Sequence, residues 1–402
     1  MRLLFMNTMY MPDIGGGAEI TLNTIASGLA ERGHTVGALV LSPENKSSRS
    51  NVNGVTIYRI PYRNLYWPFT AGGEPPWKKM LWHSIDSYNP LIASAAAKVI
   101  EEFQPDALSL HNLQGLSSSI WSLVDKFQLP AIQVLHDYYQ VCPKVTMFNN
   151  GRNCASQCGA CKIFRLPHPR LSNNLSAVVA VSHYTLNTHL QAGLFEEVSV
   201  KKVIYNARRL PARQPPAKNE RTLTIGFIGG LTPVKGIEQL LKAFKQIIGR
   251  TAIPLQLLVA GSGKDDYREH LMKLVEGLPV TFLGQVDPVS FYPQLDIAVI
   301  PSVWNEPLGG VVIEALYYGV PTIAAARGGI QEIIQHQVNG LLYDPETHGS
   351  LEENLLTLIN NPSLRKSISG QSADSISTFL DIQRFISEYD TLFQDVVTHG
   401  YA

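Results

Sequence analysis

The sequence is poor in charge and in cysteine, and it lacks any long apolar run. Charged residues make up 16% of the 402 residues, with 33 basic and 33 acidic side chains, against roughly 25% in average soluble proteins. A net charge of zero removes the electrostatic case for a nucleic-acid partner. No apolar run approaches the ~20 residues that a membrane-spanning helix needs, and Arg2–Met6 is too short for a signal peptide. We therefore expect a cytoplasmic protein.

Cysteine is scarce, and its four positions are clustered rather than scattered: Cys142, Cys154, Cys158 and Cys161. The C-x3-C-x2-C spacing of the last three is typical of metal ligands, and the first would supply a fourth thiolate. A cytoplasmic location argues against stable disulfides. Structural zinc, free thiols and two disulfides all stay open for this insert at 142–161.

The chain alternates strand and helix patterns in two successive blocks, which is typical of parallel βαβ units. The first block has strand patterns at 3–7, 35–41, 55–60, 107–111, 131–136, 176–181 and 203–206. The second has them at 223–228, 255–260, 280–283, 297–300 and 321–324. A linker rich in proline and charge separates the blocks at 208–219. The pattern predicts an α/β chain of two Rossmann-like, doubly wound domains, 1–210 and 211–373, that face a central cleft.

One stretch of the second block, PSVWNEPLGGVVIEA at 301–315, carries the strongest chemical signal. It follows a buried strand, turns at Gly309 and Gly310, and continues as an apolar helix. Bare backbone N–H groups at a helix start form a ready anion site. Glu306 precedes this start, and Glu314 lies about 7 Å beyond it at ~1.5 Å per residue. The arrangement suits a nucleotide sugar, although two solvated glutamates are the plain alternative.

Two further glycine turns follow strands. Gly229 and Gly230 precede Lys235, which places a cation beside a second helix start. The loop at 12–19 contains Gly15, Gly16 and Gly17, and it is either a ligand loop or an ordinary tight turn. A dinucleotide fingerprint is excluded there, because G-x-G-x-x-G would need glycine at the position of Ile20.

Two histidines end successive strands of the first block, His111 in LHN and His136 in LHD. In open parallel sheets, ligands bind at the carboxyl ends of the strands. Both histidines are therefore candidates for an active-site role, with a structural role as the alternative.

The segment at 58–90 interleaves aromatic residues with cations and holds three of the five tryptophans. Such a mixture suits an acceptor-binding or membrane-interface surface. A loop that packs on its own domain is the alternative. We hypothesise an acceptor or lipid-carrier contact there, with Trp67 and Trp77 as the residues to test.

Glu306 and Glu314, separated by seven residues, resemble the E-x7-E motif of the retaining GT-B glycosyltransferases of family 4, also called glycosyl transferases group 1. The similarity extends over nearly the whole chain. It implies that Glu306 binds the donor sugar, Glu314 the ribose and Lys235 the diphosphate. The family pattern G-R-L-x-x-x-K-G has arginine where this sequence has Gly230, so the leaving group has only one cation in this motif.

The resemblance assigns the remaining site residues as well. Gly16-Gly17-Ala18-Glu19 matches a G-G-x-E loop, Gly284 and Val286 lie in a segment that meets the nucleobase, and a helix at 374–402 crosses back to the first domain. The implied donor-binding residues are Gly16, Gly17, Gly229, Gly230, Lys235, Gly284, Val286, Glu306, Leu308, Gly309, Gly310, Val311 and Glu314. The implied catalytic residues are His136, Glu306 and Lys235, and the implied acceptor-side residues are His111, Asn112 and Asp137.

The implied activity is retaining transfer of a hexose from a nucleotide sugar, with UDP-glucose as the default donor and no catalytic metal. The acceptor would be a saccharide or a lipid-linked saccharide in polysaccharide assembly, and the enzyme would be cytoplasmic or peripheral at the inner face of the membrane. A sugar-nucleotide epimerase, a phosphorylase and a non-catalytic sugar-nucleotide-binding protein are the alternatives. A glycoside hydrolase also uses paired carboxylates, but it has no need of a phosphate-binding lysine.

Overall fold

A computed structural model describes residues 1–13, 16–69, 73–213 and 222–400. Four local sequence predictions touch positions outside these ranges: residues 14 and 15 of the first glycine loop, residues 70–72 of the aromatic segment, residues 214–219 of the linker and residues 401–402 of the final helix. The chain divides into two compact units. Unit 1 comprises Met1–Met147, Cys154–Ala207 and Asp381–Ala402, and unit 2 comprises Phe148–Asn153 and Arg208–Leu380.

The described residues form sixteen strands. They are β1 Arg2–Met6, β2 Thr35–Ser42, β3 Ser48–Val52, β4 Val55–Pro61, β5 Ala107–Leu110, β6 Ala131–Leu135, β7 Phe148–Asn149, β8 Arg152–Asn153, β9 Ala177–Ala180, β10 Val200–Val203, β11 Leu223–Ile228, β12 Leu255–Ala260, β13 Val280–Gly284, β14 Ile297–Ile300, β15 Thr322–Ala325 and β16 Leu341–Tyr343.

Fourteen α-helices lie within the same described ranges. They are α1 Gly17–Glu31, α2 Pro76–Ser87, α3 Pro90–Phe103, α4 Ser122–Phe127, α5 Gly159–Phe164, α6 His168–Leu171, α7 His183–Gln191, α8 Ile237–Ile247, α9 Asp265–Leu274, α10 Pro288–Phe291, α11 Gly310–Tyr317, α12 Ser350–Asn360, α13 Pro362–Ser375 and α14 Ile382–His399.

Unit 1 is built on an eight-stranded sheet in the order β10-β9-β6-β5-β1-β2-β4-β3. Every described pairing is parallel except that of the edge strand β3 with β4. The central strands are apolar on both faces because helices cover both faces of such a sheet. The C-terminal helix α14 packs in this unit beside α1, where a Cβ at Gly28 would lie 2.2 Å from Ile386. Asp390 adds an ion pair to Arg32 at 3.2 Å and a hydrogen bond with His34 Nε2 at 3.0 Å.

Unit 2 is built on a six-stranded sheet in the order β13-β12-β11-β14-β15-β16, and all its pairings are parallel. Helix α8 buries an apolar stripe on this sheet, which includes Ile237, Leu240 and Phe244. Because parallel strands end at the same edge, the loops after β11, β14 and β15 are neighbours. The two sheets confirm the predicted α/β class and the two Rossmann-like units built on parallel sheets.

Three local predictions differ from the structure. The strand predicted at 203–206 lies at Val200–Val203. The two lysines at its centre, Lys201 and Lys202, interrupt the apolar pattern on which the prediction depended. The predicted final helix breaks at a 3₁₀ turn, Ser377–Phe379, and α14 begins only after Asp381, whose carboxylate caps it. The short β-hairpin of β7 and β8, inside the cysteine-rich insert, belongs to unit 2.

Candidate active site

The site in unit 2 is organised by the start of α11. Gly309 precedes this helix with φ of +102°, a conformation that favours glycine. A Cβ there would lie 2.9 Å from Ile330. No side chain among the described residues caps the first turn. The helix start therefore offers backbone N–H groups and a positive dipole end to a ligand.

Glu306 lies in the loop before α11 and is 8% exposed. Its Oε1 accepts hydrogen bonds from Lys235 Nζ at 2.6 Å and from Ser302 Oγ at 2.7 Å. The Lys235 ammonium also lies 5.4 Å from the centre of the Trp304 ring. The two residues that the sequence predicted for the sugar and the diphosphate are therefore an ion pair in unit 2.

Glycines allow the loops that carry this pair to approach each other. At Gly236, after Lys235, φ is +70° and a Cβ would lie 1.7 Å from the Pro301 carbonyl oxygen. At Gly328, φ is +55° and a Cβ would lie 2.1 Å from the Glu306 carbonyl oxygen. The N–H of Gly329 donates to that same oxygen at 2.7 Å. The turn at 328–332 thus supports the Glu306 loop.

Asn153 of β8 holds the same loop from the other side. Its Nδ2 donates to the Val303 carbonyl oxygen at 2.8 Å, and its Oδ1 accepts from the Asn305 N–H at 2.9 Å. No sequence signal marks Asn153, because it lies 150 residues from Val303 and belongs to no motif. It fixes the backbone immediately before Glu306.

Glu314, on the first turns of α11, pairs with Arg208 through Oε1. The hydroxyl of the buried Tyr292 lies 3.5 Å from the other carboxylate oxygen. Burial raises the pKa of Glu314, and the neighbouring Arg208 opposes that shift. Arg208 lies at the start of the predicted linker at 208–219, so the sequence predicted no site role for it.

The other donor-site predictions fall on the loops around this edge of the sheet. Gly230 is exposed, and a Cβ there would meet nothing within 4 Å among the described atoms. Gly284 ends β13 with φ of +70°, and its carbonyl oxygen accepts from the Gly261 N–H at 2.7 Å. Leu308 is buried, whereas Val286 and Val311 are partly exposed.

Unit 1 holds the two predicted histidines in direct contact. His111 Nδ1 and His136 Nε2 are 2.8 Å apart, and the rings stack with centroids 5.1 Å apart. Ser109 Oγ lies 3.0 Å from the other nitrogen of His111. Burial lowers the pKa of His136 to about 4 and that of His111 well below its ordinary value. Both rings are therefore neutral at pH 7. A neutral His136 can donate one hydrogen bond and accept another, but it carries no charge.

The remaining unit 1 predictions lie on neighbouring loops. The Asn112 N–H donates to Asn7 Oδ1 at 2.9 Å. Asp137 accepts from the Tyr139 N–H at 2.8 Å, and burial raises the pKa of Asp137 to about 6. Glu19 Oε2 accepts from the Gly16 N–H at 2.8 Å, which folds the glycine loop back onto the start of α1. Gly16 and Gly17 are exposed.

All four cysteines are free thiols. The sulfur atoms of Cys158 and Cys161 are 3.5 Å apart. A hydrogen bond from Cys161 is the largest influence on Cys142 and lowers its pKa to about 6. Within the described ranges, no group of three or more histidine, cysteine or acidic side chains is arranged to hold a metal ion. Zinc binding by this cluster thus stays a prediction.

The aromatic segment at 58–90 divides into a buried part and an exposed part. Trp82 is buried and donates from Nε1 to the Tyr62 hydroxyl at 2.6 Å. On the outer side of α2, Trp77 and Met80 are 64% and 60% exposed. Part of the segment therefore packs on its own unit, as in the plain alternative.

Among the helices of the described residues, none combines the length and the apolar character that a membrane span requires.

Solved structures share this architecture. Sucrose-phosphate synthase from Thermosynechococcus elongatus aligns over 99% of both chains with a TM-score of 0.78 and 19% identity. The Anabaena protein HepE, solved in complex with UDP and glucose, aligns over 98% of this chain and 100% of its own, with a TM-score of 0.68 and 21% identity. These likenesses define the class of the fold as GT-B.

Sequence comparison adds the family. The description "Glycosyltransferase Family 4" matches residues 15–207, and "Glycosyl transferases group 1" matches residues 209–374. The chain is 32% identical to an uncharacterized 42.6 kDa protein in the cps region of Klebsiella pneumoniae, over 83% of this chain and 87% of that protein. It is 30% identical to an uncharacterized glycosyltransferase of Methanocaldococcus jannaschii, over 87% of each. The chain belongs to the group 1 glycosyl transferases and is a glycosyltransferase.

Proposed function

We propose that this glycosyltransferase transfers a hexose from a UDP-sugar, with UDP-glucose as the first donor to test. The observation that carries the proposal is the pairing of Lys235 with Glu306, at 2.6 Å, beside the uncapped start of α11. A diphosphate needs a cation and N–H donors, and a sugar needs a carboxylate for its hydroxyls. The choice of UDP is supported by HepE, which was solved with UDP and glucose.

In this proposal the diphosphate lies over Gly309 and Gly310 and accepts hydrogen bonds from the backbone of 308–311 and from Lys235. Glu306 binds the sugar hydroxyls, and Glu314 binds the ribose hydroxyls. Gly229 and Gly230 flank the phosphates. Gly284 and Val286, beside the end of β13, contact the base.

Glycosyl transfer develops opposite charges on the leaving diphosphate and on the sugar ring, and the protein has to stabilise both. As the C1–O bond breaks, negative charge grows on the leaving diphosphate and positive charge on the sugar ring. Preorganised N–H donors and Lys235 stabilise the diphosphate, which is usually the largest catalytic contribution. The Glu306 carboxylate stabilises the positive ring. We propose that the neutral His136 hydrogen-bonds to the donor sugar, and that transfer retains the anomeric configuration.

For the acceptor we propose a saccharide or a lipid-linked saccharide in polysaccharide assembly. Support comes from CapM of Staphylococcus aureus, a capsular polysaccharide biosynthesis glycosyltransferase that is 28% identical over 42% of this chain and 45% of its own. His111, Asn112 and Asp137 are the proposed acceptor-side residues, and the loop at Gly16 and Gly17 flanks them. We further propose that Trp67 and the exposed face of α2, both in the aromatic segment at 58–90, contact a lipid carrier or a membrane surface from the cytoplasmic side. Unchanged liposome binding and acceptor KM in Trp67→Ala and Trp77→Ala would remove that surface from the proposal.

We also propose that the four cysteines bind structural zinc. The support is the C-x3-C-x2-C spacing and the contact between the sulfur atoms of Cys158 and Cys161. Metal analysis of protein purified without chelator should give about one zinc per chain, and none in Cys158→Ser. Metal-free wild-type protein that is fully folded would end this part of the proposal.

The test of the main proposal is a thermal-shift screen of UDP, GDP, ADP and their common hexose conjugates, followed by turnover assays. Stabilisation by a bound ligand grows with its concentration relative to Kd, so the screen identifies the donor class. We expect the largest shift from UDP or a UDP-hexose, and release of UDP that depends on a saccharide acceptor. Turnover without acceptor would indicate hydrolysis or epimerisation. Turnover that depends on inorganic phosphate would indicate a phosphorylase. Binding without any turnover would indicate a non-catalytic sugar-nucleotide-binding protein.

A further inference from the structure

The proposed diphosphate site has too few cations in its recognised motif. Gly230 occupies the position where the related pattern has arginine. The remaining cation, Lys235, is already paired with Glu306, with 2.6 Å between Lys235 Nζ and Glu306 Oε1. A diphosphate placed over α11 would therefore share one ammonium with a carboxylate. A second cation is needed near the helix start.

Arg208 supplies a cation at that place. A Cβ built on Gly310, the first residue of α11, would lie 2.1 Å from Arg208 Nη2, so the guanidinium lies directly against the helix start. The Arg208 N–H donates to the Phe379 carbonyl oxygen at 2.9 Å, which anchors the backbone from which the side chain extends. The side chain keeps 30% exposure and is thus accessible to a ligand.

The electrostatics of this position point to an anionic ligand. A helix start carries a partial positive charge, so a cation beside it is unfavourable unless an anion is present. Glu314 supplies that anion through Oε1 in the structure. In the proposed function, however, Glu314 binds ribose hydroxyls, and its carboxylate would then be shared. A diphosphate at the helix start would restore the charge balance.

We propose that Arg208 is the second cation for the diphosphate and that it replaces the arginine missing at Gly230. In the empty site its guanidinium pairs with Glu314. When the nucleotide binds, the N–H donors that face Gly310 bind the diphosphate, and Glu314 turns one oxygen to the ribose. A guanidinium can serve both partners because it has five donors in a planar fork. This inference rests on the proposed function and adds to it the residue that recognises the diphosphate.

The test compares nucleotides that differ only in their phosphates. Binding of UDP, UMP and uridine to Arg208→Gln and Arg208→Lys would be measured by calorimetry, with ligand-observed NMR for weak binding. Loss of a charge-assisted contact predicts about 10- to 100-fold weaker UDP binding in Arg208→Gln. Uridine binding should change less than about threefold, and Arg208→Lys should lie between the two. If Arg208 only positions Glu314, uridine and UDP will weaken by the same factor, and the proposal is overturned.

Two controls make the result specific. Arg213→Gln removes another arginine near α11, whose guanidinium lies 4.9 Å from the Tyr317 ring centre, and it should leave UDP binding unchanged. Gly230→Arg, placed in the Arg208→Gln protein, should recover at least part of the UDP affinity, because the Cβ has free space at Gly230. Thermal melts would establish that each variant is folded. If wild-type protein binds none of UDP, GDP and ADP, the proposed function fails, whereas equal losses for UDP and uridine overturn only the role of Arg208.

Discussion

Replacement of Glu306 by glutamine separates the chemical role of the carboxylate from its structural role. The amide has nearly the same shape and can still accept from Ser302, but it no longer pairs with the Lys235 ammonium. Breaking a fully buried ion pair from one side costs roughly 3–5 kcal/mol. Lys235 is 31% exposed, so water solvates the freed ammonium, and we expect the free energy of unfolding to fall by only about 1–2 kcal/mol.

Catalysis should suffer far more than stability. Without the carboxylate, positive charge on the sugar ring loses its stabilising partner, and loss of one such preorganised group costs roughly 100- to 1,000-fold in kcat, or about 2.7–4 kcal/mol. UDP binding should stay the same or strengthen by up to about tenfold, or ~1.4 kcal/mol, because the Lys235 charge is no longer shared. Lys235→Ala should weaken UDP binding as well as lower kcat.

The assay measures UDP release with the donor and acceptor found in the screen, UDP affinity by calorimetry, and unfolding in urea. Ser302→Ala is the matched control, because it removes the other hydrogen bond to Glu306 but keeps the charge, and its kcat should fall less than about tenfold. A folded Glu306→Gln enzyme with kcat within twofold of wild type would refute the reasoning. So would a loss of UDP affinity as large as the loss of kcat.

Two further predictions concern the loop before Glu306 and the pH dependence of stability. Asn153→Ala should lower kcat about tenfold and stability by about 1–2 kcal/mol, because it frees the backbone at Val303 and Asn305. Arg152→Ala, on the same strand, should change neither, and equal effects in both variants would contradict a role for the side chain. Burial lowers the pKa of His189 to about 4, below its unfolded value of about 6.5. Its contribution to stability is thus complete above pH 6.5 and lost as the pH falls toward 4, at up to about 1.4 kcal/mol per pH unit. In urea unfolding measured from pH 7 to 5, the free energy of unfolding should fall less steeply with pH in His189→Gln than in wild type. An equal dependence on pH in both proteins would contradict the assignment.

Three strands of unit 2, β11, β12 and β14, could be predicted to the residue because their sequences are largely apolar runs. β11, β12 and β14 are buried parallel strands, and polar turns or glycines bound them on both sides. Strands with exposed residues gave a weaker signal. β3, with four exposed residues of five, was not predicted, because an antiparallel edge strand needs no apolar face.

The candidate site could be predicted where it depends on local motifs and not where it depends on distant contacts. Glu306 follows one strand and Lys235 another, and the parallel order of β11 and β14 brings them together. His111 and His136 meet for the same reason in unit 1. Arg208 lies 106 residues from Glu314, and no local pattern marks it. Only the three-dimensional packing at Gly310 reveals its position.

The most direct measurement of the central claim is a crystal structure of the protein with UDP bound. We expect the pyrophosphate over Gly309 and Gly310, within hydrogen-bond distance of Lys235 Nζ, and the ribose hydroxyls at the Glu314 carboxylate. UDP ordered in another part of the molecule, with the start of α11 unoccupied, would contradict the account.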